Sequence, residues 1–383
     1  MKAWAATRAA TGGRTGLQRR EPFWQRIHVD PWLLLLILTI GAVAGFVLYS
    51  ASSMSLAMLY RQGAAYVVGL AAMLVIAQFE PRFMQRWVPV FYVGGTLLLV
   101  AVLVVGTEAK GAQRWLTIPG LMRFQPSELM KLVMPMSVAW YLGRRNLPPS
   151  FKHICVSMMI VALPVLLILK QPDLGTSLLI AASGVFVLLL AGLRWRYIIG
   201  AGVMLVPAAV AMWFFVLHGY QKQRILTFLN PESDPLGAGW NIIQSKAAIG
   251  SGGVFGKGWL QGTQSHLDFL PEGHTDFIIA VLAEEFGLVG VCLLLSVYLL
   301  VIARGLFITL QAQDSFCKLL AGSVTLTFFV YVFVNIGMVS GLLPVVGVPL
   351  PLISYGGTSL VTLLWGFGIL MSIHTHRKWM TQG

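Results

Sequence analysis

Ten long apolar segments alternate with short polar links along this chain of 383 residues. A helix needs roughly 20 apolar residues to cross a bilayer, and each segment is close to that length. The pattern therefore predicts an all-α, polytopic membrane protein with ten transmembrane helices. The predicted spans are 31–50, 62–78, 88–106, 127–142, 153–169, 173–192, 197–217, 277–303, 318–340 and 357–375.

The composition supports the same class of protein. Hydrophobic residues make up 57% of the chain and charged residues 11%, with a mean hydropathy of +0.78, whereas soluble domains carry about 25% charged residues. The net charge of +13 is spread over the links between apolar segments, which argues against a nucleic-acid-binding surface. Cys155, Cys292 and Cys317 lie in or beside apolar segments, so we expect no disulfide framework.

Basic residues predict the orientation of the chain, because the cytoplasmic links of membrane proteins are enriched in Lys and Arg. Most of the 27 Lys and Arg residues fall on one side if the N-terminus is placed in the cytoplasm. We therefore predict a basic cytoplasmic arm at 1–30, a single membrane domain at 31–376 and a cytoplasmic tail at 377–383. The polar segment 218–276 then forms a large outside loop between helices seven and eight. The first apolar run is too long for a signal-peptide core, and we expect an uncleaved helix.

Two adjacent carboxylates make the start of the eighth span ambiguous. Residues 286–303 are wholly apolar and could nearly cross a membrane alone, which would leave Glu284 and Glu285 near the outer interface. A helix that begins at Phe277 would instead bury both carboxylates about two turns deep. Carboxylates at that depth are costly and normally face a cavity or a partner.

Asp276 ends the outside loop immediately before the eighth span. One interpretation is helix capping, because Thr275 and Asp276 can accept hydrogen bonds from the first amide groups of the helix. The other interpretation is catalysis. The chain has only 14 acidic residues, and Asp268, Glu272 and Asp276 crowd one outside boundary of the membrane. A carboxylate there could accept the proton of a sugar hydroxyl as the hydroxyl attacks.

Three further charged residues lie at predicted helix starts. Glu128 and Lys131, in QPSELMK, share one face of a helix because they are three residues apart. They predict a buried ion pair, which has a structural role, a role in lining a water-filled cavity, or both. Asp173, in KQPDLGTS, follows Pro172 in a short outside link, where helix capping is the favoured role.

Four cations lie on the predicted outside face apart from the long loop. They are Arg61, Lys110, Arg114 and Arg123. Solvated loop charge is the common role of such residues. The functional alternative is a clamp for an anionic lipid headgroup, because Arg binds phosphate through two parallel hydrogen bonds. We favour the clamp because the outside face is otherwise poor in cations.

Two glycine-containing segments lie on the predicted outside face. GSGGVFGKG, residues 250–258, is one residue short of a phosphate-binding loop and has a glycine where Ser or Thr would bind magnesium, so we expect a flexible loop. GVPLPLISYGGTS, residues 347–359, predicts a tight connection in which Ser354 lines a cavity and Gly356–Gly357 lets a ligand approach the backbone. The histidines show no metal-ligand spacing, and we expect no zinc-type site.

Five segments of the chain resemble those of the SEDS family of shape, elongation, division and sporulation proteins. The segments are QPSELMK, KQPDLGTS, NPESDPLGAGWNIIQSKAAIGSGG, FLPEGHTDFIIAVLAEEFGLVG and NIGMVSGLLPVVGVPLPLISYGGTS. The resemblance runs from about Trp24 to Lys378. The short N-terminal arm and the HTHRK ending are most similar to the elongation branch, RodA, with the division branch, FtsW, as the nearest competitor. One departure is Gly273, which stands where the elongation branch often has a basic or polar residue.

The resemblance implies a ten-helix fold and a peptidoglycan glycosyltransferase that polymerises lipid II, a disaccharide-peptide on undecaprenyl pyrophosphate. By that resemblance Asp276 is the catalytic carboxylate, Glu128 and Lys131 are the family's buried ion pair, and Asp173 is a further important acid. The α-linked donor and the β-linked polymer favour a single inverting displacement. Outside cations, or a divalent cation such as Mg or Mn, would stabilise the departing pyrophosphate, although the sequence shows no metal site.

The resemblance also implies a partner in the bacterial inner membrane, a class B penicillin-binding protein with transpeptidase activity, and further membrane proteins of an elongation complex. The active face would be periplasmic. Two functions of other classes stay open at this point. A lipid II flippase would use the intramembrane charges as a translocation path, but the candidate residues cluster on the outside face. A scaffold of a cell-wall complex would tolerate substitution of Asp276.

Overall fold

The computed structural model describes residues 23–109, 112–117, 123–217, 219, 222, 226, 238–266, 270 and 272–377. Each of the ten segments predicted to span a membrane coincides with a helix in this part of the chain. The helices are α1 (Phe23–Arg26), α2 (Pro31–Ala51), α3 (Leu56–Ala77), α4 (Pro81–Val105), α5 (Pro126–Leu142), α6 (Phe151–Lys170), α7 (Leu174–Leu190), α8 (Trp195–Ala211), α9 (Ala238–Gly252), α10 (Thr263–His266), α11 (Ile278–Gln311), α12 (Ser315–Val339) and α13 (Gly357–Thr375). A π-helical turn, Met212–Val216, extends α8.

Among the described residues, seven helices are long and apolar enough to cross a membrane, namely α2, α3, α4, α6, α11, α12 and α13. The other three predicted spans, α5, α7 and α8, have 17 residues each and reach about 26 Å at 1.5 Å per residue. The apolar pattern thus correctly predicted a multi-pass membrane protein. The predicted starts of α3 and α4 were several residues late, because polar side chains within the first two turns, such as Arg61 in α3 and Arg82 in α4, interrupt the apolar run.

Capping residues set the starts of the helices that carry the site. Asp30 caps α2, because its carboxylate accepts hydrogen bonds from first-turn amides, and Pro31 holds the first helical position. Asp173 caps α7 through a 3.2 Å hydrogen bond from the amide of Thr176. Pro126 opens α5 in the same way as Pro31 opens α2. The capping role that the sequence favoured for Asp173 is therefore confirmed.

The centre of the bundle is built from α12 and α13. α12 packs against α5, α7 and α11, and α13 packs against α3. Glycines allow the closest approach of α3 and α13, since a Cβ atom on Gly69 would lie 2.5 Å from Leu364 and one on Gly368 would lie 2.6 Å from the carbonyl oxygen of Met73. Small residues at such contacts are typical of helix packing in membranes, where close approach replaces the hydrophobic driving force.

A small antiparallel sheet joins α4 to α5, where the sequence predicted only an outside link. Its strands are β1 (Thr107–Ala109), β2 (Ala112–Thr117) and β3 (Arg123–Phe124), paired in that order. The all-α prediction was incomplete here, because strands this short carry almost no periodic signal. The sheet matters for the site because β2 carries Arg114 to the turn between α6 and α7.

α11 is broken at Gly287, which has φ 65° and ψ −163°. The short segment before the break begins at Ile278 and contains Glu284 and Glu285, both buried. The apolar segment after the break is the one that could cross a membrane alone. Each interpretation of the eighth span was thus right in part, since the helix begins next to Phe277 and buries both carboxylates, yet a separate apolar segment follows.

The loop 253–258 supplies hydrogen bonds at the break in α11. The amides of Leu288 and Val289 donate to carbonyl oxygens of this loop at 3.0 and 3.1 Å, and loop amides donate to the carbonyl oxygens of Glu284 and Glu285, both at 3.0 Å. Backbone polar groups at membrane depth must be satisfied within the protein. The loop is therefore a fixed part of the core, and the prediction that it is flexible was wrong.

Candidate active site

Asp276 lies in the turn that precedes α11 and is half-buried. The N-cap position of α11 is held by Phe277, and no side chain caps the helix there. The hydroxyl of Thr275 donates instead to the carboxylate of Glu272 at 2.6 Å. Neither Thr275 nor Asp276 therefore holds the N-cap position that the capping interpretation gave them.

The segment 347–359 fixes the residues immediately before Asp276. The hydroxyl of Ser354 donates to the carbonyl oxygen of Thr275 at 2.5 Å and accepts from the amide of Leu350 at 2.8 Å. The amide of Tyr355 donates to the carbonyl oxygen of His274 at 3.0 Å. Ser354 is thus buried between two loops and connects them. It positions the backbone next to the carboxylate.

Asn335, on α12, fixes the backbone of Asp276 itself. Its amide nitrogen donates to the carbonyl oxygen of Asp276 at 2.8 Å and to that of Val348 at 2.7 Å. A Cβ atom on Gly347 would lie 3.5 Å from Oδ2 of Asp276, so the carboxylate lies directly beside this glycine. One buried amide group therefore holds the two loops together at the carboxylate.

Gln62, on α3, anchors the other end of the same loop. Its amide nitrogen donates to the carbonyl oxygen of Ser354 at 3.1 Å, and its Oε1 accepts from the amide of Gly356 at 3.4 Å. The neighbouring Arg61 is exposed. Arg61 therefore lies next to the residue that holds the Ser354 loop.

Glu128 and Lys131 form the buried ion pair that their spacing predicted, with 2.6 Å between Oε1 and Nζ. The other carboxylate oxygen of Glu128 accepts from the hydroxyl of Thr362 at 3.1 Å, and Nζ of Lys131 lies 5.1 Å from the ring centre of Tyr331. Lys131, Thr362 and Tyr331 line a cavity of about 40 Å³ between α5, α12 and α13. Tyr331 lies one turn from Asn335 on α12, so this helix connects the ion pair with the Asp276 segment.

Asp173 lies in a second polar cluster at the start of α7. Its Oδ2 accepts from the side-chain amide of Gln125 at 3.3 Å and lies 3.8 Å from Nη1 of Arg114. Nε and Nη2 of Arg114 donate to the carbonyl oxygens of Gln171 and Pro172 at 3.3 and 2.5 Å. The guanidinium of Arg114 is thus used within the protein, where it holds the turn between α6 and α7.

Of the four cations that the sequence grouped, the structure describes the side chains of Arg61 and Arg114. Arg61 and Arg114 lie at different loops, as described above. Arg123 is in β3, and its side chain lies outside the described part of the structure, as does Lys110 altogether. Asp268, the third acid of the predicted outside cluster, is also outside the described residues.

Glu284 and Glu285 are buried and are held by contacts within the protein. Oε1 of Glu284 accepts from Nζ of Lys257 at 2.7 Å and from the amide of Thr263 at 2.8 Å. The carboxylate of Glu285 accepts from the hydroxyl of Ser50. These contacts hold the loop after α9 against the short helical segment that precedes Gly287.

Sequence reasoning missed several residues that build the site. They are Gln62, Gln125, Tyr331, Asn335 and Thr362. A signal existed for Asn335 and Gln62, since an amide side chain within an apolar span must find a partner inside the protein. No group of three or more His, Cys, Asp or Glu that could hold a metal ion occurs among the described residues.

Comparison with known proteins extends over almost the whole chain. The chain is 54% identical over 364 residues to the peptidoglycan glycosyltransferase MrdB of Escherichia coli K12, covering 95% of this chain and 98% of that protein. It is 38% identical to a probable peptidoglycan glycosyltransferase FtsW of Trichlorobacter lovleyi, covering 94% and 96% of the two chains.

Solved structures share the fold. A chain of a peptidoglycan synthase complex that coordinates polymerization and crosslinking has a TM-score of 0.81 and 31% identity, covering 91% of this chain and 99% of that one. The rod shape determining protein RodA of Thermus thermophilus has a TM-score of 0.69 and 29% identity, covering 91% and 98%. The model of the FtsW, RodA and SpoVE cell cycle proteins matches residues 28–379. The chain therefore belongs to the FtsW/RodA/SpoVE family of cell cycle proteins, which is the SEDS family.

Proposed function

We propose that this chain is a peptidoglycan glycosyltransferase that polymerises lipid II into glycan strands for cell elongation and rod shape. The observation that carries the proposal is the 54% identity to the peptidoglycan glycosyltransferase MrdB over 95% of this chain. The lower identity of 38% to an FtsW protein favours the elongation role over the division role.

The proposed topology has ten membrane helices, with both termini in the cytoplasm and the loop 218–276 on the periplasmic side of the bacterial inner membrane. A single membrane domain, 31–376, follows the basic arm 1–30 and precedes the tail 377–383. The excess of Lys and Arg in one set of links supports this orientation. In this topology Asp276 lies at the periplasmic face, where an acceptor sugar would be accessible.

The proposed reaction is a single displacement with inversion. Asp276 takes the proton of the acceptor sugar hydroxyl while the hydroxyl oxygen forms a bond to the anomeric carbon of lipid II. The bond between that carbon and the pyrophosphate oxygen breaks, and undecaprenyl pyrophosphate leaves with the electron pair. A positioned general base contributes typically 10²–10⁴-fold in rate. The hydrogen bonds that Ser354 and Asn335 make to the backbone of residues 275 and 276 support a positioned carboxylate.

Charge on the departing pyrophosphate would be stabilised by cations at the same face. We assign this role first to Arg61, because it is exposed beside Gln62, which binds the Ser354 loop. Lys110 and Arg123 are further candidates, whereas Arg114 holds the turn before α7. The described residues contain no set of three metal ligands. A divalent cation such as Mg or Mn would add to this stabilisation, and no step is assigned to it.

The buried polar residues would shape the cavity beneath the reacting groups. We assign Glu128 and Lys131 to its lining, since Lys131 faces the cavity between α5, α12 and α13. Asp173 would order the loop above α7 through Gln125 and Arg114. These assignments give the charged residues a positioning role.

We also propose a membrane partner, a class B penicillin-binding protein with transpeptidase activity, within an elongation complex of further membrane proteins. The support is the fold shared with a chain of the synthase complex that coordinates polymerization and crosslinking.

The deciding experiment is polymerisation of labelled lipid II by the purified chain with its transpeptidase partner. We expect Asp276→Asn to lose at least about 100-fold in rate, because the variant keeps the shape but not the base. Glu80→Gln, an exposed acid, is the matched control and should polymerise normally. An Asp276→Asn variant as active as wild type would overturn the role of this residue. If neither protein makes strands while vesicles containing wild type translocate lipid II, the flippase function is correct instead.

A further inference from the structure

A second polar pocket lies at the end of the bundle opposite to Asp276. It is formed where α4 begins, α5 ends and α12 begins, and it encloses about 480 Å³. Arg82, Arg86 and Arg144 all line it, and Asp314 is its one carboxylate among the described lining residues. The pocket therefore concentrates positive charge at the end of the protein that the sequence predicts to be cytoplasmic.

The three guanidinium groups are available for a ligand. None of them forms an ion pair within the described part of the chain, and all three arginines are exposed. The guanidinium of Arg144 lies 4.6 Å from the ring centre of Trp140, which holds it in place by a cation–π contact. The pocket thus presents guanidinium forks that suit a phosphate group.

The start of α12 adds a second source of positive potential. Asp314 holds the N-cap position of this 25-residue helix but makes no side-chain capping hydrogen bond. The first-turn amides and the helix dipole therefore act on whatever occupies the pocket. Gly143 brings the end of α5 against this turn, since a Cβ atom there would lie 3.1 Å from Cα of Phe316. The close contact fixes Arg144 beside the helix start.

Aromatic side chains place the pocket at a membrane boundary. Phe79, Phe83 and Trp87 form a row next to Arg82 and Arg86, with ring centres 5.4 and 6.3 Å apart, and each is 44–46% exposed. Trp is enriched at the level of lipid headgroups, so the exposed Trp87 indicates that this row lies near a membrane boundary. A ligand with a phosphate in the pocket could therefore extend its apolar part along this row.

We propose that this pocket binds the phosphodiester headgroup of an anionic phospholipid from the adjacent membrane leaflet. Basic pockets between membrane helices bind such headgroups. A zwitterionic lipid is disfavoured, because its choline would bring a second positive charge towards three arginines that face one aspartate. A soluble phosphate ion is disfavoured as well, because it would leave the exposed aromatic row without a ligand. The proposal does not depend on the proposed catalytic activity.

The test compares phosphatidylglycerol with phosphatidylcholine in nanodiscs that hold the full chain. We expect phosphatidylglycerol to raise the Tm of wild type by about 3 °C over phosphatidylcholine. The pocket variant, with Arg82→Gln, Arg86→Gln and Arg144→Gln, should lose this rise. A control with Lys152→Gln, Arg194→Gln and Arg196→Gln removes the same charge from exposed positions outside the pocket and should keep it.

A second readout measures lipid binding directly, so that it is not affected by any loss of stability that the three substitutions cause themselves. Native mass spectrometry of protein released from mixed micelles should count one phosphatidylglycerol fewer on the pocket variant than on wild type and control. The proposal is wrong if the pocket variant keeps the rise in Tm or if the control loses it equally. It is also wrong if inorganic phosphate reproduces the rise in phosphatidylcholine nanodiscs, because the site would then be one for a soluble anion.

Discussion

Substituting Lys131 tests how much a buried ion pair contributes to this fold. The exposed fractions of the Lys131 and Glu128 side chains are 10% and 7%, and 2.6 Å separates their charged atoms. Removing one partner of a buried pair typically costs 3–5 kcal/mol, because the other charge stays desolvated. We expect Lys131→Met to lower the free energy of unfolding by about that amount. Glu128 would then retain the hydrogen bond from Thr362, which is too weak to replace the cation.

The double variant Glu128→Gln/Lys131→Met separates charge from shape. Replacing both members of a buried ion pair by uncharged side chains often leaves the stability unchanged or raises it. We therefore expect it to regain most of the stability that the single variant loses. Unfolding by SDS in mixed micelles, followed by tryptophan fluorescence, measures both variants. Lys152→Met, at an exposed position, is the control and should change stability by no more than about 0.5 kcal/mol.

Two outcomes would contradict this reasoning. If the double variant is no more stable than Lys131→Met, an uncompensated charge is not the cause of the loss. If Lys131→Met is as stable as its control, the carboxylate is not desolvated in the membrane. Polymerisation by the double variant adds the functional result. We expect polymerisation to be low although the protein is folded, since Lys131 lines the cavity. Normal polymerisation would leave the pair with a structural role alone.

Three further substitutions test the contacts around the broken helix. Lys257→Met removes the 2.7 Å contact to Glu284 and should destabilise the chain by about 3–5 kcal/mol in the same SDS assay. Gly287→Ala should lower Tm and reduce the free energy of unfolding by more than about 1 kcal/mol, because the backbone angles there suit only glycine and a Cβ atom would lie 2.3 Å from a backbone nitrogen. The control Gly45→Ala, at a position with open space around it, should leave Tm unchanged. Asn335→Leu should reduce polymerisation by about 100-fold at unchanged expression, because the candidate base loses its backbone anchor; wild-type rates would refute that anchor.

The chain's organisation was readable from sequence because the membrane imposes a simple rule. A bilayer requires a long apolar run for each span, so the runs alone placed a helix at each predicted span, even where the starts of α3 and α4 were shifted. Charged residues were the next signal, because they are scarce in this chain. Asp276, Glu128, Lys131 and Asp173 stood out because few acids and intramembrane cations occur, and an i, i+3 spacing correctly joined Glu128 to Lys131.

The remaining features depend on contacts between distant parts of the chain. Gln62 and Ser354 are 292 residues apart, and Asn335 reaches Asp276 over 59. No local pattern reports such pairs. The break at Gly287 was also hidden, because apolarity continues on both sides of it and only the docking of loop 253–258 makes the left-handed backbone favourable. The sequence offered solvated charge or a headgroup clamp as the role of Arg114. The structure shows instead that its guanidinium donates to carbonyl oxygens of its own chain.

The position of Asp276 follows from these distant contacts and not from the helix that it precedes. The short helix behind it ends at Gly287, so the long apolar segment of α11 is not a rigid extension of the site. Much of that segment is exposed on the side that would face lipid or a partner helix. Asn335 and Ser354 instead tie the carboxylate to α12 and to the loop before α13, at the centre of the bundle. A tilt of the outer segment can then be absorbed at the break, while the candidate base keeps its place relative to the buried ion pair.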